Sequence, residues 1–182
     1  MNVMKDPDAV AWCQAVPAFK GLNPGECHQL VDVARERAFA PGQKVIEQGQ
    51  SSQYLWILLE GRCDVVRASK HNGEMVLAEL AQHGLFGELS FFSPAPHSAS
   101  VVARTPVKLL CISRSDYDDM IRDGVPAAYK LAYNIVEHVA SKLRRMDERV
   151  AELSAHGEDH DAEGKLPEWR RFREKLFDGW NL

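Results

Sequence analysis

The most informative part of the chain is residues 83–103, which read HGLFGELSFFSPAPHSASVVA. Gly84 and Gly87 permit a tight backbone course, and the residues that follow, Glu88–Phe92, are predicted to form one helical turn. Free backbone amides at the start of such a turn attract an anion. The Glu88 carboxylate at the same point would repel a phosphate unless it faced a hydroxyl group. The pattern therefore favours a ligand that carries an anionic group beside a sugar diol or hydroxyl.

His97 and Ser98 follow a proline-rich turn and are predicted to supply a titratable donor and a hydroxyl to the same anion. Residues 86–92 and 96–101, FGELSFF and PHSASV, resemble the phosphate-binding cassette of the cyclic nucleotide-binding domain. That family includes bacterial catabolite-activator-like regulators, protein kinase A regulatory subunits and cyclic nucleotide-gated channels. Its cassette typically runs FGE-(L/I)-a-L-l and then P-R-(A/S/T)-A-(S/T)-V, which this chain matches at every anchor but one. The resemblance extends over residues 19–153.

The resemblance implies a β-roll in which Glu88 binds the ribose 2′-hydroxyl of a cyclic nucleotide. It also implies that backbone amides around residues 87–89, the Ser98 hydroxyl and the Ala99 amide hold the cyclic phosphate. Ser98 and Ala99 fit the cAMP-type cassette, and no threonine directly follows His97 as it often does in cGMP-selective members. The predicted ligand is therefore a cyclic nucleotide, with cAMP favoured and no metal, and the predicted site consists of Phe86, Gly87, Glu88, Leu89, His97, Ser98 and Ala99.

His97 stands where the family has its phosphate-binding arginine. An arginine is permanently charged and can donate to two phosphate oxygens, whereas a neutral imidazole offers one donor and no charge. Loss of this charge-assisted contact would weaken binding by roughly tenfold to a hundredfold or more. A bound anion would in turn favour the imidazolium form of His97. Three interpretations stay open: a bound nucleotide, a cassette retained for its fold without a ligand, and a different anionic or cofactor ligand.

The segments around the cassette have the pattern of a barrel of short strands. Runs rich in β-branched and aromatic residues alternate with glycine and proline turn signals, at the spacing of an antiparallel barrel or jelly roll. The predicted strands are Ala38–Phe39, Val45–Ile46, Tyr54–Leu59, Cys63–Val66, Val76–Leu80, Ser100–Val102 and Val107–Ile112. Two lead-in helices are predicted before them, Asp8–Val16 and Pro24–Arg35, the second capped by Asn23. The predicted fold is an α+β β-roll flanked by N-terminal helices, a long C-terminal dimerisation helix and a short terminal amphipathic helix.

Two helices are predicted after the last strand. The first begins at Asp116, with Ser115 as its cap, and ends near Gly124. The second begins at Pro126, and its apolar positions follow a strict heptad: Tyr129, Ala132, Val136, Val139, Leu143, Met146, Val150 and Leu153. A sustained repeat of about 3.5 residues is typical of a left-handed helix pair, so it favours a parallel homodimer with its seam at the last six of these positions. The alternative is a stripe packed against the chain's own barrel.

The C-terminal remainder divides into two segments. Residues 154–165 are rich in acidic side chains and are predicted to form a solvated linker. Residues 166–182 are predicted to form an amphipathic helix whose apolar face consists of Trp169, Phe172, Leu176, Phe177 and Trp180. This face is expected to lie against the chain's own barrel or dimer mate, in a groove of an unidentified protein partner, or on a membrane surface. The predicted domains are a β-roll with lead-in helices at 1–125, the dimerisation helix at 126–153, the linker at 154–165 and the tail helix at 166–182.

Composition excludes several other classes. The 182 residues include 22 Lys plus Arg against 26 Asp plus Glu, and the net charge of −4 gives no general attraction to nucleic acid or anionic membrane. The uncharged runs are too short for a membrane span, and the N-terminus lacks the apolar core of a signal peptide, so we expect a cytoplasmic protein. The four cysteines are widely spaced, without the pattern of a metal site.

The remaining choice is between function classes. Residues 154–182 are too few for the winged helix-turn-helix of catabolite-activator-like transcription factors, so no DNA binding is expected. Catalysis is not expected, because Ser98 adjoins His97 instead of facing it. The sequence predicts a stand-alone cyclic nucleotide-binding regulatory or sensor protein that signals by repositioning its C-terminal helices. The alternative is a non-binding domain that acts as a dimeric protein-interaction adaptor.

Overall fold

A computed structural model of the chain describes residues 12–13, 15–69 and 73–156. The chain divides into two compact units, Met1–Glu137 and His138–Leu182. The first unit contains the strands, and the described part of the second unit is helical.

Several predicted segments lie wholly or mostly outside the described residues. Of the predicted helix Asp8–Val16, the residues Trp12, Cys13 and Ala15 are helical. The predicted end at Val16 is wrong, because the backbone is extended at Val16, just before a 3₁₀ turn at Pro17–Phe19. Of the linker predicted at 154–165, only residues 154–156 are described, and they are helical. The rest of the linker and the predicted tail helix, with its aromatic face, lie outside the described residues and stay predictions.

Helix α1, Pro24–Val33, begins at the predicted position. It begins there because Asn23 and Glu26 form a capping box, in which each side chain accepts a hydrogen bond from the other residue's backbone amide, at 2.9 and 2.8 Å. The predicted end at Arg35 is wrong, because the backbone becomes extended after Val33 and Arg35 begins the first strand.

Short antiparallel strands form the barrel, and the predicted β-roll is confirmed. Within the described residues the strands are β1 Arg35–Phe39, β2 Lys44–Ile46, β3 Tyr54–Glu60, β4 Cys63–Ser69, β5 Gly73–Leu80, β6 Leu85–Phe86, β7 Ser100–Ala103 and β8 Val107–Ser113. They form two sheets with the strand orders β1-β8-β3-β6 and β2-β7-β4-β5. The sequence pattern misses β6, because a strand of two residues has no alternation to detect.

An apolar cluster of the barrel includes residues from strands of both sheets. Trp56 and Leu58, which alternate along β3, are buried in this cluster with Ile46, Val101 and residues of β8. The opposite face of β3 is also buried, which explains its continuous apolar run. Strand β6 pairs with β3 in antiparallel register. The pairing with β3 therefore positions β6 and the residues that follow Phe86.

The described residues include three further helices, α2 Glu88–Phe92, α3 Arg114–Arg122 and α4 Pro126–His156. The cap predicted for α3 is wrong: Ser113, not Ser115, caps the helix, because the Ser113 hydroxyl accepts from the Asp116 amide at 3.1 Å. Helix α4 begins at the predicted Pro126 and continues beyond Leu153. None of the described helices combines the length and the apolar character that a membrane span requires.

Several heptad positions of α4 are exposed. In the first unit Val136 is 67% exposed, and in the second unit Leu143 is 45% and Met146 64% exposed. Val150 and Leu153 belong to α4, but their side chains lie outside the described part of the chain. Apolar side chains at the predicted seam are therefore accessible to another helix, and the homodimer stays a prediction.

Candidate functional site

The first half of the predicted site is built on β3 and β6. The Phe86 ring is buried in β6 and stacks on the Trp56 indole, with centroids 6.3 Å apart. Gly87 has a φ of +82°, and a Cβ at this position would lie 2.5 Å from the Tyr54 carbonyl oxygen. Only glycine combines this backbone conformation with such a close approach. The turn places Glu88 at the start of α2, where the residue is only 6% exposed.

The other predicted site residues differ in exposure. Leu89 and Ser98 are exposed, and Ala99 is half-buried. Glu88 and His97 are buried. The predicted site therefore combines enclosed side chains with a hydroxyl group and a backbone amide nearer the surface.

His97 joins the second half of the predicted site to the first. Its Nδ1 lies 2.9 Å from the Ser90 hydroxyl of α2, and its Nε2 lies 2.7 Å from the Ser52 hydroxyl in the loop before β3. The His97 amide donates to the Gln50 carbonyl at 2.9 Å, and the His97 carbonyl accepts from the Gly49 amide at 2.8 Å. His97 thus connects three segments that are separate in sequence: the loop before β3, α2 and the segment before β7.

The environment of His97 favours its neutral form. Burial lowers the pKa of His97 below its ordinary value of 6.5, and the residue is 7% exposed. A neutral imidazole has one N–H donor and one acceptor nitrogen, and a serine hydroxyl can serve either of them. The Ser52 and Ser90 hydroxyls therefore satisfy both ring nitrogens of neutral histidine. Burial thus disfavours the imidazolium that the sequence predicts beside a phosphate, and that imidazolium stays a prediction.

Ser52 and Ser90 belong to the site, but no sequence pattern identifies them. Serine is common in loops and at helix ends, so neither residue carries a distinguishing pattern by itself. The only usable signal is His97 itself. A buried histidine in place of the arginine needs polar partners for both ring nitrogens, so nearby serines could have been expected.

The described residues contain no group of three or more His, Cys, Asp or Glu side chains placed to hold a metal ion. The cysteines are free and buried. Burial raises the pKa of Cys13 to about 12 and that of Cys63 to about 11. These two thiols are therefore protonated at neutral pH.

The two antiparallel sheets and the glycine turn that holds Glu88 in a buried position define a class, the β-roll domains. The family model described as "Cyclic nucleotide-binding domain" matches residues 36–123, from β1 to just beyond α3. Residues 36–123 of this chain therefore belong to the cyclic nucleotide-binding domain family.

Relatives of the chain include two kinds of regulator. It is 32% identical to the cyclic AMP receptor protein of Thermus thermophilus over 138 residues, which cover 76% of this chain and 62% of that protein. It is 30% identical to the cAMP-dependent protein kinase regulatory subunit of Dictyostelium discoideum over 135 residues, which cover 73% of this chain and 41% of that protein. The chain therefore spans less than two thirds of the length of these relatives.

Solved structures have the same fold. The catabolite activator protein of Thermus thermophilus matches with a TM-score of 0.69 and 31% identity, covering 76% of this chain and 63% of that one. A cyclic nucleotide-binding domain from Methylobacillus flagellatus matches with a TM-score of 0.70, covering 83% of this chain and 94% of that one. The second match, at 17% identity, shows a shared fold alone.

Proposed function

We propose that this chain is a cyclic nucleotide-binding regulatory module whose favoured ligand is cAMP. The observation that supports the proposal is the Glu88 carboxylate, which the Gly87 turn holds in a buried position at the start of α2. A carboxylate accepts several hydrogen bonds, and a ribose 2′-hydroxyl is a suitable donor for one of them. The names of the relatives, a cyclic AMP receptor and a cAMP-dependent kinase subunit, favour cAMP.

In the proposed complex, no cationic side chain of the cassette holds the cyclic phosphate. Backbone amides of residues 87–89, the Ser98 hydroxyl and the Ala99 amide supply the donors, as the family resemblance implies. Neutral His97 stabilises the cassette through Ser52 and Ser90 instead of pairing with the phosphate. Because the charge-assisted contact is missing, we expect an affinity roughly tenfold to a hundredfold below that of a cassette with arginine.

The proposed signal is a change in the position of α4. Residues 123–125 connect α3 to α4, and Gly124 has a φ of +68° with open space where a Cβ would lie. An uncrowded connection with a left-handed residue is suited to a hinge. The ligand can shift the equilibrium between two positions of α4 only if it binds the chain more tightly in one position than in the other.

Calorimetric titration of the purified chain tests the ligand proposal. We expect saturable heat with cAMP and less with cGMP or cyclic dinucleotides, at both pH 6 and pH 8. Glu88→Gln keeps the shape of the side chain but removes its charge, and it should weaken cAMP binding about tenfold or more. The control is Glu60→Gln, at an exposed carboxylate that pairs with Lys108 on the sheet surface.

The absence of heat with every nucleotide at both pH values would contradict this proposal. It would instead favour the second candidate, a non-binding adaptor. The observation that favours this second candidate is the pairing of both His97 ring nitrogens with serine hydroxyls, which leaves the ring without a free donor for a phosphate.

We also propose that the chain forms a parallel homodimer through α4. The heptad spacing supports this, and so do the exposed apolar side chains of Val136, Leu143 and Met146. Leu143→Asp is expected to yield a monomer of 20.4 kDa, because it places a charge in an apolar seam. Light scattering measures the mass.

The control for the dimer is Ser141→Asp, which adds the same charge to α4 at a heptad position away from the seam. This variant should keep the dimer mass. A Leu143→Asp chain that also keeps the dimer mass would show that α4 does not form the interface.

A further inference from the structure

An aromatic cluster connects the end of α2 to α3. Phe91 and Phe92 are the last residues of α2, and their ring centroids lie 5.3 and 5.7 Å from that of Tyr117 in α3. The two phenylalanine rings also meet edge to face, with centroids 5.0 Å apart. Phe91 and Tyr117 are buried. The helix that carries Glu88 and Ser90 is thus attached to α3 through its C-terminal end.

Arg114, the first residue of α3, lies over this cluster. Its guanidinium carbon is 5.8 Å from the centroids of all three rings, within the range of a cation–π interaction. Its Nη1 donates to the Phe91 carbonyl at 3.0 Å, and its Nε donates to Asp118 Oδ1 at 2.8 Å. The planar guanidinium makes these contacts at the same time, which a lysine ammonium cannot do.

Helix α2 depends on such external contacts. It spans only 5 residues, and a helix of this length is not stable by itself. The Phe91 carbonyl lies in its last turn, where carbonyl groups lack helical partners and favour a positive neighbour. Arg114 provides that carbonyl with both a hydrogen bond and a positive charge.

We propose that Arg114 is a positioning residue that holds α2 against α3, and thereby fixes the orientation of Glu88 and Ser90 in the site. The contacts continue beyond α3, since the Tyr117 hydroxyl donates to the Ala128 carbonyl of α4 at 3.3 Å. The effect on α2 needs no ligand, whereas an effect on nucleotide release rests on the proposed function.

Amide hydrogen exchange of the ligand-free full chain, followed by NMR, tests the holding role. Arg114→Met keeps the aliphatic stem but lacks the charge and the donors. The Phe91 and Ser93 amides, which bond to carbonyls of Gly87 and α2, should then exchange roughly tenfold to a hundredfold faster. Amides of β3 and β8 should keep wild-type rates. The control is Arg122→Met, at an exposed arginine of α3 that pairs with Asp119, and it should change neither set.

Arg114→Lys retains a charge and one donor, so it should exchange at rates between those of the wild type and Arg114→Met. If Arg114→Met does not fold, Arg114→Lys provides the test. Exchange rates of the α2 amides at least about threefold above those of the wild type support the proposal. Wild-type rates in α2 would overturn it. Equal acceleration in α2, β3 and β8 would also overturn it, because that result describes a general loss of stability.

Nucleotide release separates this proposal from the proposed function. If the wild-type chain binds cAMP, Arg114→Met should release it about tenfold faster, and Arg122→Met should release it at the wild-type rate. If the wild-type chain binds no nucleotide, the proposed function fails, and the exchange rates of α2 still decide the role of Arg114.

Discussion

Gly87→Ala is expected to lower the free energy of unfolding by about 2 to 5 kcal/mol. The left-handed conformation at this position costs an L residue roughly 1 to 2 kcal/mol. In addition, the new Cβ would lie 2.5 Å from the Tyr54 carbonyl oxygen, a backbone atom of β3 that no side-chain rotation can move aside. Relief of this overlap requires a shift of the turn or of the strand, at a further cost of about 1 to 3 kcal/mol. Urea denaturation measures the difference.

Gly49→Ala is the matched control for this substitution. Gly49 has the same φ, +82°, but apart from its two chain neighbours no residue has a heavy atom within 4 Å of the position of its Cβ. The variant should therefore lose only the conformational contribution, about 1 to 2 kcal/mol. Equal losses for the two variants would show that the close approach of Gly87 to β3 does not constrain the cassette.

The sequence predicted much of the fold because the strands are short, apolar and separated by glycine and proline turns. The errors fall where local signals compete. Ser113 and Ser115 are both good helix caps, and only the tertiary position of β8 selects Ser113. Likewise, nothing in the apolar pattern distinguishes a helix end at Val33 from one at Arg35, because the pairing of β1 with β8 decides it.

The site was predictable to the extent that its residues are close in sequence. Gly87 and Glu88 are adjacent and belong to one local motif. In the structure Gly87 lies close to β3 and the Glu88 carboxylate is buried. The contacts of His97 with Ser52 and of Arg114 with Phe91 join segments that are distant in sequence. No local pattern encodes such contacts, so only the structure shows that His97 is buried and that α2 contacts α3.

His97→Ala is expected to lower the free energy of unfolding by about 2 to 5 kcal/mol. The substitution leaves a cavity where a buried ring had been, and it removes the partner of the Ser52 and Ser90 hydroxyls. The neighbouring Ser98→Ala is the control, because Ser98 is exposed and should change stability by less than about 0.5 kcal/mol. A loss for His97→Ala no larger than that of the control would show that the network does not stabilise the cassette.

A double-mutant cycle with Ser90→Ala isolates the hydrogen bond from the cavity. If the Nδ1 contact at 2.9 Å contributes, the two substitutions together should cost less than the sum of the single losses, by about 0.5 to 3 kcal/mol. Additive losses would mean that Ser90 and His97 act independently.

The stabilising effect of His97 should also depend on pH, with a definite sign. Burial lowers its pKa in the folded chain below 6.5, while the unfolded chain keeps the ordinary value. As the pH falls below about 6.5, the unfolded state binds a proton that the folded state does not, so the free energy of unfolding decreases until the pH passes the folded pKa.

His97→Ala lacks this contribution. The stability difference between wild type and variant should therefore be full at pH 8 and smaller at pH 5, as measured by denaturation at each pH. A constant difference would mean that His97 takes up a proton as readily in the folded chain as in the unfolded one. A difference that grows on acidification would mean that the folded chain takes up the proton more readily, as a phosphate-binding imidazolium would.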